Sequence, residues 1–395
     1  MKENKYLSLY IHIPFCVRKC DYCDFLSAPA DENTKEAYIQ ALLLEIESYR
    51  TTGLADREIR TVFFGGGTPS VLSAGQITTV LEKAHEVFGL PEECEISIEV
   101  NPGTVTKEKC KCYFNAGINR ISIGLQSPED ELLRELGRIH TYEQFLQTYE
   151  YVRNVGFQNV NVDLMSALPK QSVEQYCSGL EKVTKLSPEH ISAYSLILEE
   201  GTPFFEKYNN TKNLLPDELQ DRLMYERTKE ILEQKGYARY EISNYARPGF
   251  ECKHNIVYWE RDDYLGLGLG SASLVNDTRF KNESNLIKYI RAWKENRGET
   301  VLRLEEEILS RQAQMEEFMF LGLRMMRGVS ALKFYELFDV WPQQVYGRQV
   351  ERLEKEGLLS VRKGILGPEK DGGGYLMLTD KGIDVSNYVF EQFLL

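Results

Sequence analysis

The sequence predicts an α/β protein, a partial, TIM-like (β/α)6 barrel followed by a C-terminal helical, winged-helix-like unit. Three observations lead there. Six short β-rich runs recur at Tyr6–Ile13, 60–64, Glu95–Val100, 119–124, 159–164 and His190–Ser195, with helical patterns between them. Strand, helix, strand in repetition implies parallel strands joined by right-handed crossovers. Six such units fill roughly 200 residues, whereas a closed barrel of eight takes ~250. The last part of the chain changes character, with helices running into two short strands.

Each element has its own warrant. The first run, Tyr6–Ile13, alternates apolar residues and opens the barrel. Segments 35–49 and 75–88 repeat apolar residues at three and four positions, the period of an amphipathic helix. Segments 105–116, 142–155 and 172–186 carry the same pattern more weakly. A helix at 216–235 leads into a Gly- and Tyr-rich stretch through 275. Helical patterns at 304–327, 330–338 and 343–357 then precede strands at 358–362 and Tyr375–Leu378. A loop containing Gly372, Gly373 and Gly374 joins those strands, and a final helix spans 381–394. The expected division is a barrel over 1–235, a segment packed on it over 236–300, and the winged-helix-like unit over 301–395. That last unit would be a lid or packing module, because the 343–357 helix sets Arg348, Arg352 and Lys355 against Glu351, Glu354 and Glu356.

The 395 residues are 42% hydrophobic and 27% charged, the balance of a globular protein with a large core. The formal net charge of −13 argues against nucleic acid as a partner. The eight scattered cysteines suit free thiols in a reducing compartment. The N-terminus has no secretory apolar region, and no apolar run of 18 residues occurs, so a cytoplasmic location is expected. Peripheral association with a membrane is compatible with this composition.

Cys16, Cys20 and Cys23 stand at the end of the first strand in C-x3-C-x2-C spacing. A 4Fe–4S cluster takes a ligand at each iron, usually a thiolate. Three close cysteines with no evident fourth suggest a cluster with one open iron. Zinc, with His12 as a fourth ligand, and a disulfide framework are the alternatives. Active groups of such barrels sit at the C-terminal ends of the strands, which is where these cysteines fall. The second strand ends in Gly65-Gly66-Gly67-Thr68-Pro69, a turn where backbone can approach a ligand closely. Its amides could bond a carboxylate. Glu99, Gln126, Arg138 and Asp163 are polar residues at or near further strand ends, with Arg able to pair a carboxylate.

The cysteine spacing resembles the radical S-adenosylmethionine (SAM) superfamily. The set Tyr-Ile-His-Ile-Pro-Phe-Cys, Gly-Gly-Gly-Thr-Pro, Glu-x-Asn-Pro, Gly-Leu-Gln-Ser and Asp-Leu-Met-x-Ala-Leu-Pro-x-Gln is similar to the oxygen-independent coproporphyrinogen III oxidase group. The resemblance runs from about residue 6 to 275, with a similar C-terminal domain beyond. It implies a radical SAM barrel in which Cys16, Cys20 and Cys23 ligate a 4Fe–4S cluster. The open iron would chelate the amino and carboxylate groups of SAM. Tyr10, Gly66, Thr68 and Glu99 would contact that SAM. Tyr22, Gly67, Gln126, Arg138 and Asp163 would line the neighbouring space, which holds a second SAM in the oxidase.

The oxidase carries a further cysteine two residues after the third cluster cysteine, and here that position is Phe25. The oxidase also has a longer N-terminal segment. Cys252-Lys253-His254-Asn255-Ile256-Val257-Tyr258-Trp259 contains His-Asn-x-x-Tyr-Trp, which resembles the haem-chaperone branch of the group. The resemblance implies haem as cargo, delivered to recipient haem proteins such as respiratory enzymes. An imidazole can ligate haem iron, and Tyr258 and Trp259 offer flat faces. His254 could equally be a hydrogen-bonded residue of an aromatic turn, and segment 236–300 is expected to handle the cargo. Porphyrin decarboxylation and radical SAM methyl transfer are the enzymatic alternatives; no catalytic residue is singled out. Cys110 and Cys112 read as structural.

Overall fold

A computed structural model describes residues 5–211, 214–295, 298, 303–362, 366–367 and 373–395. Two compact units emerge. The first comprises Met1–Ala238, Tyr245–His254 and Asp263–Glu306, and the second Arg239–Asn244, Asn255–Asp262 and Glu307–Leu395.

The first unit is built on six consecutive parallel strands, β1 Tyr6–Ile13, β2 Glu58–Gly66, β3 Glu95–Val100, β4 Arg120–Gln126, β5 Val160–Ser166 and β6 His190–Ser195. Each neighbours the next, as the partial barrel requires. Helices α1 Glu32–Ser48, α2 Ala74–Phe88, α3 Lys107–Asn115, α4 Asp130–Glu135, α5 Tyr142–Val155 and α6 Val173–Thr184 fill the crossovers. Most of them start on a side-chain cap. Asp31 receives the Thr34 N–H before α1. Ser73, Thr141 and Ser172 form reciprocal capping boxes with Gln76, Gln144 and Gln175 before α2, α5 and α6. The caps move α1 to begin at Glu32 and α3 at Lys107, after Thr106, where periodicity alone suggested 35 and 105.

The alternation within β1 decides what the barrel is for. Leu7, Leu9, Ile11 and Ile13 are all buried in the main core. Each contributes about 1.5–3 kcal/mol. Ser8, Tyr10 and His12 take the opposite face. The same face of β3, β4, β5 and β6 carries Ser97 and Glu99, Arg120 and Ser122, Asn161 and Asp163, and His190 and Ser192. The barrel interior is therefore polar. His190 Nδ1 meets Asn161 Oδ1 at 2.6 Å. Asn161 Nδ2 donates to Ser122 Oγ and Asp163 Oδ1, both at 2.7 Å.

Further strands were not visible in the Gly- and Tyr-rich stretch. Residues Tyr264–Leu267, Ala272–Val275 and Thr278–Asn282 extend the sheet on the far side of β1, the first of them parallel to it. Repeated glycine hid this strand, because its spacing gives no alternation of large residues. Gly266 and Gly268 are required by close packing. A Cβ on Gly266 would lie 2.2 Å from the Ala272 carbonyl oxygen, and one on Gly268 2.3 Å from the Tyr38 hydroxyl. Buried Glu45 of α1 fixes the segment. Its carboxylate accepts from the Gly268 N–H at 2.8 Å, from Asn282 Nδ2 at 2.5 Å and from the Tyr289 hydroxyl.

The second unit contains helices Arg311–Gly322, Ala331–Phe338 and Pro342–Lys355. Phe318, Phe334, Phe338, Tyr346 and Phe393 meet edge to face in its core. Its sheet has three strands, not the expected two, because Val329–Ser330 joins Leu359–Arg362 and Tyr375–Leu378. The helix expected over 304–327 is corrected. Arg303–Ile308 is a strand, and the helix starts only after Ser310, whose side chain caps Ala313. The final helix breaks at Val385 into Asp380–Asp384 and Ser386–Glu391. Of the predicted glycine loop, residue 372 lies outside the described residues.

Burial pushes the Glu45 carboxyl up to about 7, against the opposing hydrogen bonds from Tyr289, Gly268 and Asn282. Its raised folded value means that stability from this site declines as pH climbs toward 7. Three donors converge on the carboxylate, so Glu45→Gln would turn an amide N–H toward another donor. The expected cost is about 1–3 kcal/mol, read as a lower urea midpoint; an unchanged midpoint would contradict the network.

Candidate functional site: the cysteine loop and the barrel interior

The three cysteines sit on the loop that follows β1. Cys16 is buried, Cys20 and Cys23 are partly exposed, and none is in a disulfide. The loop is pinned along its length. Cys16 N–H donates to the Ala28 carbonyl at 3.3 Å and Ala28 N–H to Pro14 at 3.0 Å. Asp21 N–H donates to Leu136 beyond α4, and the Asp21 carbonyl receives the Phe204 N–H at 2.9 Å. Cys23 N–H folds back on the Cys20 carbonyl at 3.2 Å. Three thiols thus remain on one short loop with their backbone committed elsewhere, a donor set that fits a cluster needing three thiolates.

The zinc alternative loses its fourth ligand. His12 Nε2 meets the Leu26 carbonyl at 3.0 Å, so that nitrogen carries the proton. Nδ1 then accepts from the Tyr10 hydroxyl at 3.1 Å. Both ring nitrogens are engaged, and burial lowers the pKa of His12.

The glycine turn lies hard against this loop. Gly66 has φ +111°, and a Cβ there would come 2.6 Å from the His12 ring; one on Gly67 would come 2.5 Å from the Phe15 carbonyl oxygen. Gly67 N–H donates to the Ile13 carbonyl at 2.8 Å and Thr68 N–H to Phe15 at 2.7 Å. The expectation that these amides would meet a ligand is corrected, since both are spent holding the turn to β1. What the turn can offer is carbonyl oxygen, a partner for an amine N–H.

Around the loop the other candidate residues converge. Burial, with the Asp163 carboxylate adding to it, raises the Glu99 carboxyl to about 8, against the lowering effect of the Gly66 backbone N–H. Burial likewise raises Asp163, opposed by hydrogen bonds from Asn161, Ser192 and Ser122. Tyr10 is pushed up by burial and by Glu99. Arg138 Nη1 approaches Cys20 Sγ at 3.7 Å, while Nη2 donates to Asn101 Oδ1 and the Gly124 carbonyl. Its Nε has no partner, although the atom is shielded from solvent. Asn101 in turn donates to Thr68 Oγ1 at 2.8 Å, which links the glycine turn to Arg138. Gln126 has φ +72° at a register shift between β4 and β5, a strained conformation for a non-glycine residue. Its Oε1 accepts from Tyr194 at 2.9 Å. Tyr22, raised mainly by burial, packs edge to face on Phe204. Asn101 and Tyr194 are site residues that sequence reading missed. Asn101 was legible in the Glu-x-Asn-Pro motif, whereas Tyr194 had no motif of its own.

His254, which the sequence reading put forward as a haem ligand, is a buried neighbour of this group. The residue is only 1% exposed. Its ring stacks on Phe63 at 5.0 Å and on Tyr10 at 6.3 Å, and Nδ1 meets Thr61 Oγ1 at 2.7 Å. Its N–H and that of Lys253 donate to the buried Glu95 carboxylate at 3.2 and 3.1 Å, a carboxylate at a helix N-terminus. Burial, with Arg120 nearby, lowers its pKa to about 3. This is a satisfied interior histidine at the floor of the barrel.

Residues 10–183 match the Radical SAM superfamily model, and 309–385 match the HemN C-terminal domain. The chain is 38% identical to a Lactococcus lactis protein named Heme chaperone HemW, covering 98% of this chain and 97% of that one. It is 35% identical to the Bacillus subtilis protein of the same name, covering 98% and 99%. Among solved structures it resembles coproporphyrinogen III oxidase (HemN) from Escherichia coli, with TM-score 0.83 and 25% identity over 98% of this chain and 90% of that one. The fold and the cysteine loop define a radical SAM protein, a class that implies a 4Fe–4S cluster and SAM. Within that class the chain belongs to the HemW family. No helix among the described residues is long and apolar enough to cross a membrane.

The contact between Gly66 and His12 gives a direct check. Gly66→Ala would add a positive-φ cost of about 1–2 kcal/mol and push the His12 ring off its Tyr10 and Leu26 partners. A lower Tm is expected; an unchanged Tm would show that the turn is not close-packed.

Proposed function

We propose that this protein is a haem chaperone that binds haem and passes it to recipient haem proteins such as respiratory enzymes, using a 4Fe–4S cluster and SAM. The observation that carries the reading is near-full-length similarity to proteins named Heme chaperone HemW. Phe25 supports it, since it stands where the oxidase branch has cysteine. Cys16, Cys20 and Cys23 would hold the cluster. A bound cluster supplies one electron and an open iron to SAM. Gly66 and Thr68 of the turn, Glu99 and Tyr10 would orient the SAM amino acid and ribose. Gly67, Gln126, Arg138, Asp163 and Tyr22 would surround the neighbouring space, with Arg138 held by Asn101 and the Gly124 carbonyl.

A second reading is an oxygen-independent coproporphyrinogen III oxidase. It is favoured by the overall likeness to that oxidase and by the assembly of Gln126, Arg138 and Asp163 beside the cysteine loop. One anaerobic experiment separates the two. The reconstituted, reduced protein with SAM is offered haem or coproporphyrinogen III, and the Soret band and porphyrin products are followed together. Stoichiometric haem binding without decarboxylated product is expected. Conversion of coproporphyrinogen matched by SAM consumption would replace the chaperone with the oxidase.

The raised carboxyl of Glu99 sets a pH dependence. Below about 8 the ligand-free residue holds its proton. The N–H groups of an iron-bound SAM amine and the sulfonium charge favour the carboxylate, so binding releases that proton, and affinity should climb from pH 6.5 toward pH 8 and then level. Glu99→Gln should bind SAM more weakly and with a flatter profile in calorimetric titrations. Equal slopes for the two proteins would remove Glu99 from the SAM site.

A further inference from the structure

The cysteine loop is held at its middle from both sides. Asp21 directly follows Cys20 and stands two residues before Cys23. Its N–H donates to the Leu136 carbonyl at 3.3 Å, and its carbonyl accepts from the Phe204 N–H at 2.9 Å. Leu136 directly follows α4, and Phe204 lies in the first turn of a short helix, α7 Pro203–Tyr208. Neither bond fixes the loop unless α4 and α7 are fixed to each other. Their apolar faces meet in a small core of their own, where Leu132 and Leu136 join Phe204 and Tyr208 with Met165 and Leu168. Phe204 packs edge to face on Tyr208 at 5.1 Å and on Tyr22 of the cysteine loop at 6.3 Å. Apolar burial is non-directional, so it does not by itself set how the two helices stand.

One polar side chain supplies the direction. Glu135, the last residue of α4, accepts from both the Lys207 ammonium and the Tyr208 hydroxyl at the end of α7. Lys170 approaches the same carboxylate at 4.0 Å. A carboxylate at the C-terminal end of a helix opposes the helix dipole, so α4 on its own gains nothing from it. The Lys207 ammonium, and then the Tyr208 hydroxyl, hold its carboxyl below the usual range. Tyr208 is 1% exposed, and its buried hydroxyl needs such a partner. The bonds close a circuit: from Glu135 to Tyr208, back one turn of α7 to Phe204, across Asp21, and through Leu136 to Glu135 again. The chain leaving α4 also runs hard against the loop. Gly137 has φ +71°, and a Cβ there would come 3.0 Å from Asp21 Cγ. Arg138 then reaches Cys20 Sγ at 3.7 Å. We propose that Glu135 is a positioning residue for the metal centre: by clasping α7 to α4 it holds Asp21, and with it the placement of Cys20 and Cys23, in the geometry a cluster needs. It acts through the backbone of the loop. This proposal rests on the reading that Cys16, Cys20 and Cys23 hold the cluster.

The test uses the full-length protein, reconstituted anaerobically, and follows loss of the cluster's visible absorbance to an iron chelator. Removing a group that supports metal ligands costs about 10- to 100-fold, so Glu135→Ala should release iron roughly tenfold faster or more. Tyr208→Phe keeps the ring and removes only the hydroxyl, so it should speed release by a smaller factor. The two changes together should be no worse than Glu135→Ala alone, because both break the same clasp. The EPR g values of the reduced cluster should shift in Glu135→Ala, a signature that a general loss of stability leaves alone. Glu129→Ala serves as control, since it breaks the ion pair with Lys182 just before α4 and leaves α7 untouched; it should release iron at the wild-type rate. Wild-type release rates and unshifted g values in both clasp variants would overturn the proposal while leaving the cluster reading intact. Equal acceleration by Glu129→Ala would also overturn it. If Glu135→Ala does not fold, Tyr208→Phe decides. An unmodified protein that takes up no iron and sulfide would overturn the cluster reading and the clasp together.

Discussion

Everything at the candidate site depends on the contact between the end of β1 and the turn after β2. Gly66 lies against the His12 ring and Gly67 against the Phe15 carbonyl, at separations no side chain would permit. Two N–H bonds, to Ile13 and Phe15, lock the turn in that position. The same histidine bonds Tyr10 on one side and Leu26 on the other. The start of the cysteine loop, the turn that would face a cofactor and the tyrosine at the barrel axis are thereby fixed by one close-packed junction. Rigid placement of this kind is what a site needs if its groups are to meet a ligand without reorganising.

Above that junction the barrel is filled with polar groups where a closed barrel would hold branched aliphatics. Burial drives the Glu99 and Asp163 carboxyls toward their neutral forms, against the pull of the buried Arg120 guanidinium. Hydrogen bonds from Asn161, Ser122 and Ser192 oppose this at Asp163. The positive φ of Gln126 belongs to the same picture, as a strained residue held where β4 and β5 lose register.

The motif around His254 shows how a functional-looking sequence can serve the frame. Its N–H groups cap on Glu95, its ring fills the floor beneath Tyr10 and Phe63, and Thr61 takes its Nδ1. An aromatic cluster with a histidine reads from sequence as a haem site, because the same residue types serve both purposes. The burial of His254 is set by distant strands.

The sequence by itself determined the repeat of strands and helices, the cysteine spacing and the order of polar residues along the barrel. These are local matters, fixed by side-chain period, by caps such as Ser73 with Gln76, and by motifs a few residues long. Tertiary structure decided what those patterns could not encode. It turned the glycine-rich stretch at 264–267 into a strand beside β1, because only residues without side chains fit against Tyr38 and Ala272. It committed the amides of the Gly66 turn to β1, and it buried His254. It also brought Tyr194 to Gln126 across 68 residues of chain. Each of these outcomes depends on contacts between segments far apart in sequence, where close approach and exclusion of water, not local preference, set what a residue does.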